Sequence, residues 1–274
     1  MPDLRTFIIA LSLITVSAVL GYALITYGLA PVANQDLVKL SRVYLGTVFN
    51  KSSVLWGASP EVVTSIIWDY RGLDTVYETT VFFVAVISAL TLFRNVKITP
   101  SNTGRGVGMT VIVKTVSKIV FIAIPAVAVS ITVHGHLTPG GGFQGGSTFS
   151  VASLLMISVF SLNLVVARGW SKEKLLSIRT LGLLSVGFVA FSTPLIASLL
   201  GLKGYLMQNL EKPWAPVGWP AEVSLASASS ILVSGTLIVL NIAEFVAVSA
   251  GLSLIFITLS LPTNVLEEGG GVAR

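Results

Sequence analysis

The sequence predicts an all-α, polytopic membrane protein with about six transmembrane helices and a glycine-rich break after the third. Of its 274 residues, 53% are hydrophobic and only 11% are charged, and the mean hydropathy is +0.87. Soluble domains carry roughly 25% charged residues. The composition therefore excludes an ordinary soluble protein. Its apolar runs have the length of about 20 residues that an α-helix needs to cross a bilayer.

The first apolar run, Phe7–Ala30, contains no charge and follows Arg5. It is longer than the roughly 7–15-residue core of a secretory signal, so we interpret it as a retained first span. The polar stretch Val32–Ser59 is expected to be a loop with a short helix around Gln35–Thr47.

The second span is expected to follow a short helix over Pro60–Trp68, because proline favours the first turn of a helix. Gly72 would end that turn, and Asp74 or Thr75 would cap the next helix. The second span is therefore predicted over Thr75–Phe93.

The second half of the chain follows a polar segment, Arg94–Gly108, which is the best candidate for an internal boundary. Four further spans are predicted, and they cover Val111–Val133, Ser147–Ala167, Thr180–Leu200 and Ala226–Leu261. The connecting segments are a basic connector, Arg168–Arg179, and a loop, Gly201–Ala221.

The glycine-rich break, His134–Gly146, separates the third and fourth spans. Pro139 ends any helix that arrives from Val133, and five of the last seven residues are glycine. Non-helical backbone at membrane depth is tolerated only when it is buried in protein or lines a polar cavity. This break is therefore the first candidate for a functional segment.

The distribution of lysine and arginine predicts the orientation in the membrane. Six spans place both termini on one side, and of the 17 basic residues 11 lie on that side and 6 on the other. This asymmetry favours cytoplasmic termini. The pI near 9.6 therefore reflects topology, and we expect no nucleic-acid partner.

The chain has no cysteine and two histidines. No disulfide, thiolate metal site or iron–sulfur cluster can be held by this chain. We expect no cofactor and no metal in it.

The break resembles a family signature. His134–Gly146 is similar to Gly-His-x-x-Pro-Gly-Gly-Gly-Phe-x-Gly-Gly of the MrpB (MnhB) family, the small membrane subunits of multisubunit Na+/H+ antiporters. Relatives occur in archaeal membrane-bound hydrogenases and related sulfur-reducing complexes. The resemblance covers about Arg105–Leu261, and it implies a structural role for Pro139, Gly140, Gly141, Gly142, Phe143, Gly145 and Gly146.

The resemblance fails at one place in the last span. The family has an Asp-Ile-Gly-Val-like stretch there, whereas this chain reads Asn241-Ile-Ala-Glu244. A role for Glu244 must therefore be argued from physics.

A second resemblance covers Val63–Arg94. Its stretch Trp68–Thr75, which contains Arg71 and Gly72, and the later Glu78 are similar to Asp-[Phe/Tyr]-Arg-Gly-x-Asp-Thr…Glu at the C-terminal end of the large MrpA subunit. An MbhE-like subunit corresponds to that region in hydrogenase-type complexes. The chain is thus expected to fuse an MrpA-C-terminal unit, residues 1–97, to an MrpB-like unit, residues 101–274.

Two carboxylates, Glu78 and Glu244, are placed within the predicted spans. Such groups are costly in a membrane and mark ion or proton paths by default. The alternatives are a carboxylate favoured by the helix dipole for Glu78 and a protonated packing residue for Glu244. Asp69 and Asp74 are candidates for an ion entrance, or for an ion-pair and capping cluster with Arg71.

His134, His136 and Lys118 are further candidates for a proton path. The two histidines are two residues apart, so they point to different sides of a helix. They suit proton relay or anchoring of the broken helix by hydrogen bonds. Lys118 is a candidate relay lysine, and the alternative is that it extends to the membrane surface.

The function predicted from these features is a non-redox subunit of an antiporter-type module in the plasma membrane. Its expected partners are MrpA/C/D/F/G-like subunits, lipid, Na+ and H+. The host complex could be a plain antiporter or a hydrogenase-type complex. A purely structural scaffold and an independent small-molecule transporter are the alternatives, and no catalytic site is predicted.

Overall fold

The computed structural model describes residues 4–28, 38–93, 109–224 and 229–261, which fall into two compact units, Met1–Val43 and Tyr44–Arg274. The first unit contains α1 (Leu4–Ala23), which continues as a π-helical turn (Leu24–Gly28), and the start of α2 (Lys39–Val48). Side chains from Ile9 to Thr26 are exposed almost throughout. Such a helix, apolar on every face, suits a lipid environment. The boundary predicted between residues 97 and 101 lies outside the described residues.

The described part of the second unit consists mainly of helices, with two short paired strands. A short helix, α3 (Val62–Thr64), continues as a π-helical turn (Ser65–Tyr70). The helices that follow are α4 (Gly72–Leu92), α5 (Val111–Val133), α6 (Gly142–Phe160), α7 (Leu162–Ala167), α8 (Lys172–Leu199) and α9 (Leu237–Leu259). The antiparallel strands are β1 (Glu222–Ser224) and β2 (Ser230–Leu232).

Six of the described helices are long and apolar enough to cross a membrane: α1, α4, α5, α6, α8 and α9. The predicted six-span, all-α fold is confirmed. Within the second unit, residues 44–71, 134–141, 200–224 and 229–236 lie at one end of the spans, here called the loop end. The opposite end, with residues 161–171, is called the connector end.

The central element is α9, against which α4, α5, α6 and α8 all pack. Small residues permit these approaches. A Cβ added to Gly182 of α8 would lie 2.6 Å from the backbone nitrogen of Ala247 and 2.8 Å from the oxygen of Ala243. Close backbone contact of this kind is how helices associate in membranes, where the hydrophobic effect provides no drive.

Several predicted boundaries are wrong. The fourth span begins at Gly142 rather than Ser147, and it ends at Phe160, because Ser161 takes a φ of 106° and separates α6 from α7. The sixth span begins at Leu237 rather than Ala226, since β2 and a turn occupy the apolar stretch before it.

Two other predictions also need correction. The basic connector Arg168–Arg179 is largely helical, because the Ser171 hydroxyl accepts a hydrogen bond from the Lys174 amide and starts α8 there. Gly72 begins α4 rather than ending the previous turn, and the N-cap is Arg71 without a side-chain hydrogen bond.

Candidate functional site

The break between α5 and α6 comprises residues 134–141, so the later glycines of the motif lie inside α6. Gly141 has a φ of 147°, which favours glycine. A Cβ on Gly135 would lie 2.7 Å from Gly141 Cα. The two ends of the break therefore lie in close contact, and a side chain at Gly135 would separate them.

The backbone of the break is paired by the segment before α4. Thr64 Oγ1 donates to Gly135 O at 2.5 Å, and Ser59 Oγ donates to His136 O at 2.6 Å. The His136 ring contacts Leu232 O through Nε2 at 2.9 Å. Gly135, His136 and Gly141 are thus buried in protein, whereas His134 and residues 137–139 are exposed. The buried part of the break meets the requirement that a membrane imposes on irregular backbone.

Glu244 of α9 lies at the start of α6. The Phe143 amide donates to Glu244 Oε2 at 3.0 Å, and Glu244 is only 5% exposed. The residue at the N-cap, Gly141, has no side chain to cap the helix. Glu244 therefore caps α6 from the neighbouring helix, at the end where the helix dipole favours a negative charge.

The glycine at the first position of α6 makes this capping possible. A Cβ on Gly142 would lie 2.3 Å from Asn241 O and 2.7 Å from Glu244 Cβ and Oε2. Only a residue without a side chain lets the first turn of α6 approach α9 this closely.

Asn241, one turn before Glu244, is fully buried beside the break. Trp68 Nε1 donates to Asn241 Oδ1 at 2.9 Å, and Trp68 is also fully buried. Asn241 Nδ2 is buried and has no hydrogen-bond partner among the described residues. It lies 3.0 Å from the Cβ position of Gly135. Asn241 therefore joins the π-helical turn before α4 to α9.

The second intramembrane carboxylate, Glu78, lies near Glu244 but differs from it in exposure. Glu78 is exposed on α4, and its charge lies within electrostatic range of Glu244. One turn further along α4, Phe82 contacts Phe143 edge-on, with ring centroids 6.2 Å apart. The structure therefore brings the two predicted acids together beside the start of α6.

Asp69, Arg71 and Asp74 do not form one cluster. Arg71 and Asp74 make an exposed ion pair, whereas Asp69 Oδ2 lies 2.9 Å from the Cβ position of Gly57, under the loop before α3. Burial raises the pKa of Asp69 from 3.8 to about 6, although Lys212 lowers it. Asp69 is thus a separate group at the loop end.

The other predicted residues are dispersed. His134 is exposed and its Nδ1 contacts Ser130 O at 3.1 Å, while His136 is buried, which lowers its pKa. Lys118 is exposed on α5. It precedes His134 by 16 residues, about 24 Å along a helix, so it is not part of the site.

Sequence reasoning missed three residues of this region: Trp68, Thr64 and Arg179. Trp68 stands inside the quoted motif but was given no role, and nothing in the sequence marks Thr64. Arg179 was assigned to the connector, yet it is 1% exposed inside α8. Its guanidinium carbon lies 4.7 Å from the ring centroid of Phe82 and 5.2 Å from that of Phe83.

Comparisons with known proteins identify the family. A family model described as a domain related to the MnhB subunit of Na+/H+ antiporters matches residues 112–254, more than half of the chain. The chain belongs to the MnhB family. The predicted resemblance to MnhB is confirmed, and the chain is a membrane subunit of the antiporter-module type.

Relatives and solved structures agree with this assignment. An uncharacterized protein of Methanocaldococcus jannaschii is 28% identical over 228 residues, and the match covers 76% of this chain and 80% of the relative. A chain of the archaeal membrane-bound sulfane sulfur reductase, a respiratory membrane complex, is similar with a TM-score of 0.61 and 28% identity, covering 92% of this chain and 97% of that one.

A chain of the Mrp complex from a Dietzia species has a TM-score of 0.58 at 17% identity. The match covers 95% of this chain but only 26% of the Dietzia chain. At this identity the likeness concerns the fold alone.

Proposed function

We propose that this chain is a non-catalytic membrane subunit that contributes part of a Na+/H+ path and helps to assemble a multisubunit complex. The observation that carries the proposal is the arrangement of two carboxylates beside the broken helix. Glu244 is sealed within the chain, and Glu78 is within electrostatic range of it on the outside of α4. A buried acid and an exposed acid on two helices that pack together offer a cation two successive carboxylate positions.

The exposure of Glu78 supports assembly with other membrane subunits. A central acidic residue in a span costs roughly 2.5–3.5 kcal/mol, and Glu78, in the second turn of α4, has a smaller cost of the same kind. A partner that covers this face of α4 with polar or charged groups lowers that cost. In this proposal the partners are MrpA/C/D/F/G-like subunits.

The loop end is the proposed entrance of the path. Asp69, with a pKa of about 6, exchanges protons near neutral pH, and the buried His136 stands where the break meets β2. The excess of basic residues on the terminal side supports an orientation with this end outside and both termini in the cytoplasm of a plasma membrane.

The fusion of an MrpA-C-terminal unit to an MrpB-like unit is part of the proposal. The match to the reductase chain covers 92% of this chain, so it extends beyond residues 101–274. That similarity also favours a respiratory complex as the host over a plain antiporter.

The experiment compares Gln and Ala at the two acids in the assembled complex, with sodium-dependent proton flux in vesicles and subunit co-purification as readouts. Gln keeps an oxygen that accepts from the Phe143 amide but removes the charge. Glu78→Gln and Glu244→Gln should assemble normally and lose most of the flux, with the larger loss at Glu78. Glu173→Gln, at an exposed acid of the connector end, is the matched control and should transport normally.

A scaffold role predicts a different pattern. Glu244→Gln would then be nearly silent, whereas Glu244→Ala would weaken assembly because the start of α6 loses its cap. Full flux with normal assembly in both Gln variants would reject the ion path. An independent transporter predicts robust exchange by this chain alone in vesicles, whereas our proposal predicts none.

A further inference from the structure

A groove of about 330 Å³ lies near the connector end, on the side of α9 opposite Glu244. Both α6 and α8 pack along α9, and the groove lies between them. Phe149 of α6 and Ile178 of α8 form its walls, and α9 forms its floor. The floor residues, such as Val246 and Ser253, recur at helical spacing on the face of α9 turned away from Glu244.

The floor of the groove is apolar although it contains two serines. Ser253 Oγ is hydrogen-bonded to Ser153 Oγ at 2.7 Å, and Ser249 Oγ donates to Val246 O at 3.3 Å. Because both hydroxyls are satisfied within the protein, they demand no polar partner from an occupant. The groove therefore suits a hydrocarbon.

One end of the groove is cationic. Lys174 is exposed there, and its Nζ lies 3.2 Å from the Cβ position of Gly169 in the turn between α7 and α8. Trp170 borders the groove in the same turn, which also contains the exposed Arg168. Tryptophan and lysine are enriched where a span meets the headgroups, and basic sites between spans bind anionic headgroups.

The volume of the groove favours a lipid chain over a partner helix. Three turns of helix, about 10 Å across and 15 Å long, need about 1,200 Å³. The groove holds about a quarter of that volume. The groove therefore cannot enclose a helix, whereas its apolar volume accommodates part of a single acyl chain.

We infer that this groove binds one acyl chain of an anionic phospholipid, with the lipid phosphate on Lys174. The lipid fills the space between α6 and α8 and extends the packing around α9. It lies on the opposite face of α9 from Asn241 and Glu244, so its binding does not depend on an ion path.

The test is photo-crosslinking in the assembled complex, reconstituted with phosphatidylglycerol or phosphatidylcholine whose acyl chains are photoactivatable. Peptide mapping should place phosphatidylglycerol on α9 residues 245–253 and on the start of α8. Lys174→Gln should lower the preference for phosphatidylglycerol about fivefold, because a basic residue near the surface contributes about 1 kcal/mol. Lys203→Gln, at an exposed lysine of the loop end, is the control and should keep the preference.

A second variant fills the groove without entering the core. Val246→Phe should abolish crosslinks to α9 at unchanged expression, whereas Leu199→Phe on the exposed end of α8 should not. Equal crosslinking of the two lipids, or crosslinks that persist in Val246→Phe, would overturn the inference. Crosslinks that appear in the isolated chain but not in the complex would mean that a partner subunit occupies the groove, and they would overturn it as well.

Discussion

Substitution of Gly145 by alanine tests whether the motif glycines serve helix contact. A Cβ at this position would lie 1.9 Å from Thr132 Oγ1 and 2.7 Å from the backbone oxygen of Ala128, both on α5. The hydroxyl can rotate, but the backbone oxygen cannot. Ordinary contact begins at 3.4 Å, so α5 and α6 would have to separate by about 0.7 Å there.

The expected cost is the sum of three effects. Overpacking costs roughly 1–3 kcal/mol, and loss of the hydrogen bond from Thr132 to Ala128 O costs about 0.5–1.5 kcal/mol. Replacing glycine by alanine inside a helix returns about 1 kcal/mol. Gly145→Ala is therefore expected to destabilise the protein by about 0.5–3.5 kcal/mol.

Gly187→Ala is the matched control, because no atom lies within 4 Å of a Cβ at that position of α8. It should be neutral or stabilising by up to about 1 kcal/mol. The measurement is thermal unfolding of the purified protein in detergent, followed by tryptophan fluorescence. Adding Thr132→Ala should recover part of the loss. A Tm of Gly145→Ala at or above that of Gly187→Ala would refute the contact.

Three further variants test the loop end. Burial raises the pKa of Asp69 to about 6, so the folded protein keeps a proton there and its stability falls as pH rises from about 4 to above 6. The unfolding midpoint of Asp69→Asn should lack this pH dependence, and the variant should gain at most about 3 kcal/mol in free energy of unfolding at pH 8. An unchanged pH dependence contradicts the assignment. Trp68→Phe leaves Asn241 Oδ1 without its donor, so it should cost about 1–3 kcal/mol in free energy of unfolding, while Trp214→Phe at an exposed site should be silent. Asn209→Ala removes the hydrogen bonds to Gly57 O and from the Thr236 amide and should expose the loop 200–236 to protease, an effect that must be absent for Asn50→Ala.

The spans could be predicted because a bilayer requires a certain length and an apolar composition, and both can be read from a single continuous stretch of sequence. The end of α5 could be predicted for the same reason, since Pro139 and the glycines act on their own backbone. The start of α6 could not. Glycine is a poor helix former, yet Gly142, Gly145 and Gly146 are helical because each faces α5 or α9 at a distance that no side chain allows.

Charged residues were the least predictable part of the site. Arg179 follows a run of basic residues and was assigned to a connector, but it lies inside α8 against Phe82 and Phe83. A Cβ on Gly251 would lie 2.3 Å from its Nη1. Gly251, which leaves room for the guanidinium, is about 70 residues away in the sequence. The burial of Arg179 can therefore be recognised only once the packing of α4, α8 and α9 is known. The proximity of Glu78 and Glu244 depends on the same packing.

The buried guanidinium of Arg179 on α8 adds a positive charge to the region of the two carboxylates, Glu78 on α4 and Glu244 on α9. Phe82, which stacks on Arg179, is one turn from Glu78, and Gly251, whose Cβ position faces the Arg179 Nη1, is two turns from Glu244. The guanidinium therefore lies about 6 Å along α4 from Glu78 and about 10 Å along α9 from Glu244. At an effective dielectric constant of 20, an opposite charge at the longer of these distances contributes about 1.7 kcal/mol. That is of the same order as the cost of one acid in a span. One guanidinium carries a single positive charge, so it balances at most one of the two carboxylates. In the proposed path a bound Na+ supplies the second positive charge, or a basic side chain of a subunit that covers Glu78 does. Charge balance in the membrane interior is therefore a further reason to expect that the chain works within a complex.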